Sequence, residues 1–347
     1  MEVQFYSQVP SPSHSVPSEF EGYYDFVSTI AQLSDEFNFT GSLIYYNHFT
    51  LDPLIIASAV IQNTQNNIPL IAIQPNAFPP HTIAKAIVSL HNLYGRKVNL
   101  NFITGNNLNE LREIVDVLDH GDRYERLQEY IDVLKDLLTK ERITYKGKYY
   151  SYDNFRMEPR LPVNAFPGIF VPGASEASIL VANRLADVAL ARPTPVNTFY
   201  DQYCKHLRDN SLRVGIRIGI IARTTDEEAW EVAKVRFPSS RVGVLKALVL
   251  NRLQMNENNK QMSNLAKSDE VTDGVFWMGA YRSGINNNPY LVGSYEKVSE
   301  YIKRYHDIGV RVILLSDLYE REQFFHINKM RLMLNLLISE DMKLIGN

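Results

Sequence analysis

Between Gly168 and Pro195 the chain reads GIFVPGASEASILVANRLADVALARPTP, and this stretch most limits what the chain can fold into. A short apolar run, Ile169–Val171, passes through the small-residue turn Pro172–Ser175 into a helical pattern, and a second apolar run, Asp187–Ala191, follows at once. Two strands joined by a helix pair in parallel. At the turn, Gly173, Ala174 and Ser175 leave backbone N–H groups bare beside the positive end of a helix dipole, which suits an anion. The plainer alternative is that Gly173 makes the turn and Ser175 caps the helix, and the stretch alone leaves both open.

The same alternation runs through the whole chain. Val3–Val9 reads as strand one, followed by a Ser/Pro-rich turn at Pro10–Ser18 and a helix over Glu19–Phe37. Gly41–Tyr46 is strand two, and Asp52-Pro53 opens the next helix with a capping side chain and a proline at its first position. Ile68–Gln74 is strand three, the helix Pro80–Tyr94 closes at Gly95, and Lys97–Thr104 is strand four. A longer loop, Gly105–Asp122, leads to an amphipathic helix at Arg123–Leu138 and a Tyr- and Lys-rich surface hairpin at Ile143–Tyr152. Strands five and six lie in the opening stretch, with a helix at Val196–Asn210 after them. Strand seven is RVGIRIGIIAR, Arg213–Arg223, and Thr225 or Asp226 caps the helix that follows. From about 238 to 289 the sequence turns Asn-, Ser- and Met-rich with no clear strand. LVGSYEKVSEYIKRYHDIGVRVILLSD then restores helix-then-strand order, Val312–Ser316 is strand eight, and Glu320–Ser339 is a closing helix with Phe324, Ile327, Met330 and Leu334 on one face. Eight such units predict one α/β domain over 1–347, a (β/α)8 TIM barrel with a large insertion between strands seven and eight.

Composition narrows the function. A net charge of −3 with mixed signs gives no footprint for nucleic acid or an anionic membrane, and no segment has the length of a spanning helix. Cys204 is the only cysteine, which excludes an internal disulfide or a multi-thiolate zinc site. With no secretory leader pattern at the N-terminus, a cytoplasmic protein is expected. HExxH, GxSxG and P-loop lysine motifs are missing, and Asp317 is the only acidic residue at a strand end, so no metal site, hydrolase elbow or glycosidase pair is expected. In a barrel the site forms at the C-terminal strand ends. The candidates there are Ser7, Gln8, Asn47, His48, Gln74, Asn76, Asn101, Thr104, Gly173–Ser175, Arg192, Arg217, Ser316 and Asp317. Arg217 interrupts an apolar strand, and a buried arginine demands a partner.

The ordered segments GSLIYYN, IPLIAIQP, LYGRKVNLNFITG, LDHGDRYERLQEYIDVLKDLL, ITYKGKYYSY, VPGASEASILVANRLADVALA and RVGIRIGIIARTTDEEAW resemble the bacterial luciferase-like flavin monooxygenase superfamily. They are most similar to its reduced-FMN-dependent alkanesulfonate monooxygenase branch. The resemblance implies a barrel of the luciferase-like type holding FMN at its C-terminal face, with the insertion over the site. It puts Asn101, Thr104 and Gln74 beside the flavin ring, and His120, Tyr124, Gly173, Ala174 and Ser175 near the ribityl phosphate. On their own terms Tyr124 also suits a core position and His120 a helix cap.

The same resemblance shows departures. The branch carries a histidine after strand one where this chain has Ser11-Pro12-Ser13, and Arg-x-His in strand seven where this chain has Arg217-Ile218-Gly219. Arg192 stands for a tryptophan, Thr50 for a cysteine and Leu318 for a tyrosine, while Arg282 matches a loop arginine of the insertion. Alkanesulfonate is therefore not the expected substrate. The implied activity is a two-component monooxygenase in which an NAD(P)H-dependent flavin reductase supplies reduced FMN and O2 oxygenates a small organic substrate through a peroxyflavin. Arg217, Arg192 and Arg282 are the cations for an oxygen anion or acidic substrate, and His48 is the candidate for proton transfer. Arg192 and Arg282 as surface charges, and His48 as a plain loop residue, are the alternatives. A deazaflavin-dependent oxidoreductase and a non-catalytic flavin-binding relative are the competing functions. A homodimer or higher oligomer is expected.

Overall fold

The computed structural model describes residues 2–10, 16–105, 107–208, 211–238, 257–267 and 271–345. Parts of the predicted Ser/Pro-rich turn (11–15) and of the insertion (239–256 and 268–270) lie outside the described residues, as do 209 and 210 of the predicted helix. The eight expected strands are present: β1 Gln4–Gln8, β2 Gly41–Ile44, β3 Ile68–Ile73, β4 Asn99–Phe102, β5 Ile169–Pro172, β6 Val188–Ala191, β7 Arg213–Arg223 and β8 Val310–Leu315. They follow one another in one sheet with β8 beside β1, which makes the (β/α)8 barrel. The chain divides into two compact units, residues 9–189 and residues 1–8 with 190–347.

In the first unit β2 to β5 pair in parallel in sequence order. Asp52 opens the helix Pro53–Gln62 as its spacing predicts, its Oδ1 accepting from the N–H groups of Leu54 at 2.8 Å and Ile55 at 3.2 Å. On β4 alternation decides which side chains face which way. Phe102 packs its ring 5.7 Å from that of Tyr130 on the helix His120–Thr139, so Asn99 and Asn101 occupy the opposite face of the strand. The predicted hairpin forms from Arg142–Lys146 and Ser151–Arg156. Glu129 holds its turn by accepting from three successive backbone N–H groups, those of Lys148, Tyr149 and Tyr150, at 3.0, 3.0 and 2.7 Å.

In the second unit β7 is eleven residues long and, besides pairing with β6, serves two further partners. Val214–Ile218 pairs with β8, and Gly219–Arg223 pairs in parallel with a strand the sequence did not reveal, Tyr290–Ser294. LVGS thus belongs to a strand, and the helix begins only at Tyr295, with Ser294 as its cap. The pattern is a short apolar run after Pro289 whose pairing comes from β7 rather than from its own periodicity. The helix expected over Val196–Asn210 ends at Gln202, where Tyr203 leaves helical geometry at φ −132° before a single turn at Cys204–His206. The closing helix, Arg321–Ile345, buries Phe324, Ile327, Met330 and Leu334 as predicted. Among the described residues no helix is long and apolar enough to cross a membrane.

Candidate active site

Two polar clusters stand at the C-terminal ends of the strands, one in each unit. In the first unit, β5 ends in Pro172 and the chain turns at Gly173, whose φ of +139° few other residues adopt. A Cβ there would lie 2.6 Å from the Ser178 Cβ, 2.7 Å from its Oγ and 2.9 Å from the Tyr124 hydroxyl, so only glycine allows these groups to close on the turn. Ser175 caps the helix Glu176–Leu185, accepting from Ser178 N–H at 3.3 Å, and also donates to Ser178 Oγ at 3.2 Å. Capping and lining the cradle are thus compatible roles for one serine.

Tyr124 is buried, and burial pushes its hydroxyl above the usual phenol range while hydrogen bonds with Thr104, Ser178 and Ser175 pull the other way. It stays a neutral donor and acceptor. His120 places its ring 5.1 Å from that of Tyr124. It does not cap its helix, because Asp119 does, accepting from Asp122 N–H at 2.8 Å. Burial and then the Arg123 charge hold the His120 imidazolium below the usual histidine range. Asn101 is buried on β4 and its Oδ1 has no hydrogen-bond partner among the described residues. Gln74 is buried after β3, its Nε2 close to the Gly105 backbone. His48 is directed elsewhere: its Nε2 lies 2.8 Å from the Glu110 carbonyl oxygen and 4.0 Å from a Glu113 carboxylate oxygen.

The second unit holds the cations. Arg217 Nη2 donates to Gln8 Oε1 at 3.2 Å, Gln8 Nε2 donates to the Tyr319 hydroxyl at 3.2 Å, and that hydroxyl donates to Asp317 Oδ1 at 3.2 Å. Burial lowers the Arg217 guanidinium from its ordinary value, and the Asp317 charge opposes that shift. Arg192, after β6, donates to the Asn287 carbonyl at 2.9 Å, and burial pulls its guanidinium down to about 10, with Tyr281 pushing it back up. Arg282 is half-buried at the end of the short helix Gly279–Arg282. Asn286 and Tyr290 donate to Asp317 Oδ2, and Asn288 donates to Ser316 Oγ at 2.9 Å. Ser178, Asn286, Asn288 and Tyr290 were not among the sequence candidates. The triple asparagine before Pro289 is the one signal that marks a loop built for side-chain hydrogen bonds. Among the described residues no cluster of metal-ligating side chains occurs.

The luciferase-like monooxygenase family model matches residues 1–312, and the chain belongs to that family of enzymes. It is 36% identical over 337 residues, 95% of this chain and 96% of the relative, to the 4-(gamma-L-glutamylamino)butanoyl-[BtrI acyl-carrier protein] monooxygenase BtrO of Niallia circulans. Among solved structures, it is similar to riboflavin lyase RcaE with modified FMN and riboflavin, at a TM-score of 0.77 and 14% identity, covering 98% of this chain and 92% of that one. An F420-dependent secondary alcohol dehydrogenase in complex with an F420–acetone adduct gives a TM-score of 0.67 and 13% identity, covering 96% of this chain and 99% of that one. At those identities the two structures carry the fold.

Proposed function

We propose that the chain is the oxygenase of a two-component, reduced-FMN-dependent system. The observation that carries this reading is the cradle at Gly173, where the Tyr124, Thr104, Ser175 and Ser178 hydroxyls meet the start of a ten-residue helix. Neutral O–H donors and backbone N–H groups are what a phosphate dianion needs, and the orphaned Asn101 Oδ1 gives a flavin ring N–H an acceptor. These residues fit FMN. Bound reduced FMN, supplied by a separate NAD(P)H-dependent flavin reductase, contributes the two electrons with which O2 gives one atom to the substrate and one to water.

The chain's own part is to hold the cofactor's tail, exclude water and present positive charge. Arg217, with Arg192 and Arg282, supplies the charge for an oxygen anion or for polar substrate groups. His48 is occupied by the Glu110 carbonyl and is assigned to holding its loop. The BtrO relative gives the substrate class to try first, an amide-bearing acyl chain tethered to a carrier protein. Titrating the apoprotein with reduced FMN, oxidised FMN and F420 tests the reading. Tightest binding of reduced FMN supports it, whereas preference for F420 replaces it with hydride transfer on the same barrel, the reading the F420-bound structural neighbour favours.

A further inference from the structure

Asp317, just after β8, does more than close a strand end. Its φ of +55° places a non-glycine residue in the left-handed region, a strained conformation that persists only where surrounding contacts fix it. Three such contacts converge on its carboxylate. Oδ1 accepts from the Tyr319 hydroxyl at 3.2 Å, and Oδ2 accepts from the Tyr290 hydroxyl at 3.1 Å and from Asn286 Nδ2. Its carbonyl oxygen accepts from the Arg236 guanidinium. Tyr319 leads through Gln8 to Arg217, and every hydrogen bond in that line donates toward the carboxylate. Asn286 and Tyr290 belong instead to the leg by which the insertion returns to the barrel.

We propose that Asp317 is a positioning residue that couples these two arms: seating the return leg at Asn286 and Tyr290 fixes, through Tyr319 and Gln8, the working orientation of Arg217. The catalytic use of Arg217 rests on the oxygenase reading, whereas the coupling rests on the hydrogen bonds alone. One carboxylate receives all three donors, so loss of either arm lets it turn toward the other. Burial holds the Tyr290 and Tyr319 hydroxyls above the usual phenol range, which keeps both as neutral donors to the anion. A second asparagine of the leg, Asn288, is buried and adds a bond to Ser316, immediately before Asp317, and so helps hold the leg in register.

Two variants that leave Arg217, Gln8 and Tyr319 themselves intact test the coupling. Tyr290→Phe keeps the ring and removes one donor, and Asn286→Ala removes the other. In protein labelled with 15N-arginine, the Arg217 Nε–H signal, assigned by its loss in Arg217→Lys, is expected to shift or broaden in both variants. Amide exchange over Tyr290–Ser294 is expected to rise roughly tenfold. In turnover with reduced FMN, kcat is expected to fall by about tenfold while KM for reduced FMN stays within about twofold, because the cofactor cradle is untouched. A return leg that exchanges faster while the Arg217 signal stays in place overturns the coupling, as does an unchanged leg in both variants. Wild-type protein that neither binds reduced FMN nor turns over with it overturns the oxygenase reading instead, and the arginine signal still decides the coupling.

Discussion

Gly173 meets two independent demands, its left-handed backbone and the closeness of Ser178 and Tyr124. Alanine there fails both, so Gly173→Ala is expected to cost about 1–3 kcal/mol of stability through overpacking. Binding of reduced FMN is expected to weaken by more than about tenfold in the same variant. Tyr124→Phe, which keeps the ring and loses the hydroxyl, separates packing from donation: affinity falls while the unfolding midpoint moves little. Equal loss of stability and affinity in both variants would reduce the cradle to a packing feature. Part of the acid sensitivity belongs to another residue, His326, whose Nδ1 lies 2.6 Å from the Tyr295 hydroxyl. Burial and then Arg223 hold its imidazolium below the ordinary histidine value, with Glu322 opposing them. The unfolded chain therefore takes up a proton first, and stability falls as pH drops through about 6.5 toward the lower folded value. His326→Asn is expected to flatten this part of the stability-against-pH curve, measured by unfolding midpoints between pH 7 and 5.

At the scale of elements, β7 shows how one strand serves both the barrel and the added strand that follows the insertion. Its inner half lies on β8 and its outer half on Tyr290–Ser294, with Gly219 at the changeover. A Cβ on Gly219 would lie 2.2 Å from the Tyr290 Cζ, so the ring uses the space that a side chain at 219 would fill. Gly219→Ala is expected to displace Tyr290, break its bond to Asp317 and destabilise the chain by about 1–3 kcal/mol. Faster amide exchange along Tyr290–Ser294 measures it, and unchanged exchange there would mean that the ring has room to move. The long apolar run of β7 and the capped helix starts were readable because each carries its signal locally. Tyr290–Ser294 was not, because a five-residue run has no periodicity that separates strand from helix, and its strand state comes from a partner some seventy positions earlier.

For the molecule as a whole, alternation of strand and helix was enough to count eight strands and to close them into a barrel. That rule also selected Gly173, Ser175, Arg217 and Asp317 as strand-end candidates, because a barrel puts its chemistry there. It did not show that Arg217 reaches Asp317 through Gln8 and Tyr319, or that Ser178 joins Tyr124, since such pairings depend on side-chain directions rather than on spacing. A ligand that binds only the folded chain stabilises it by RT ln(1 + [L]/Kd), about 2.7 kcal/mol at a hundredfold excess over Kd. For a chain of this length, unfolding entropy converts that to a rise of about 4 °C in the midpoint. Reduced FMN should produce that rise, and reduced riboflavin, which has the same ring and ribityl chain but no phosphate, should fall well short of it at the same concentration. In Gly173→Ala the two ligands should become alike, because the advantage of the phosphate is lost with its cradle. Equal shifts from both ligands in the unmodified protein would mean that Gly173–Ser175 does not hold the phosphate.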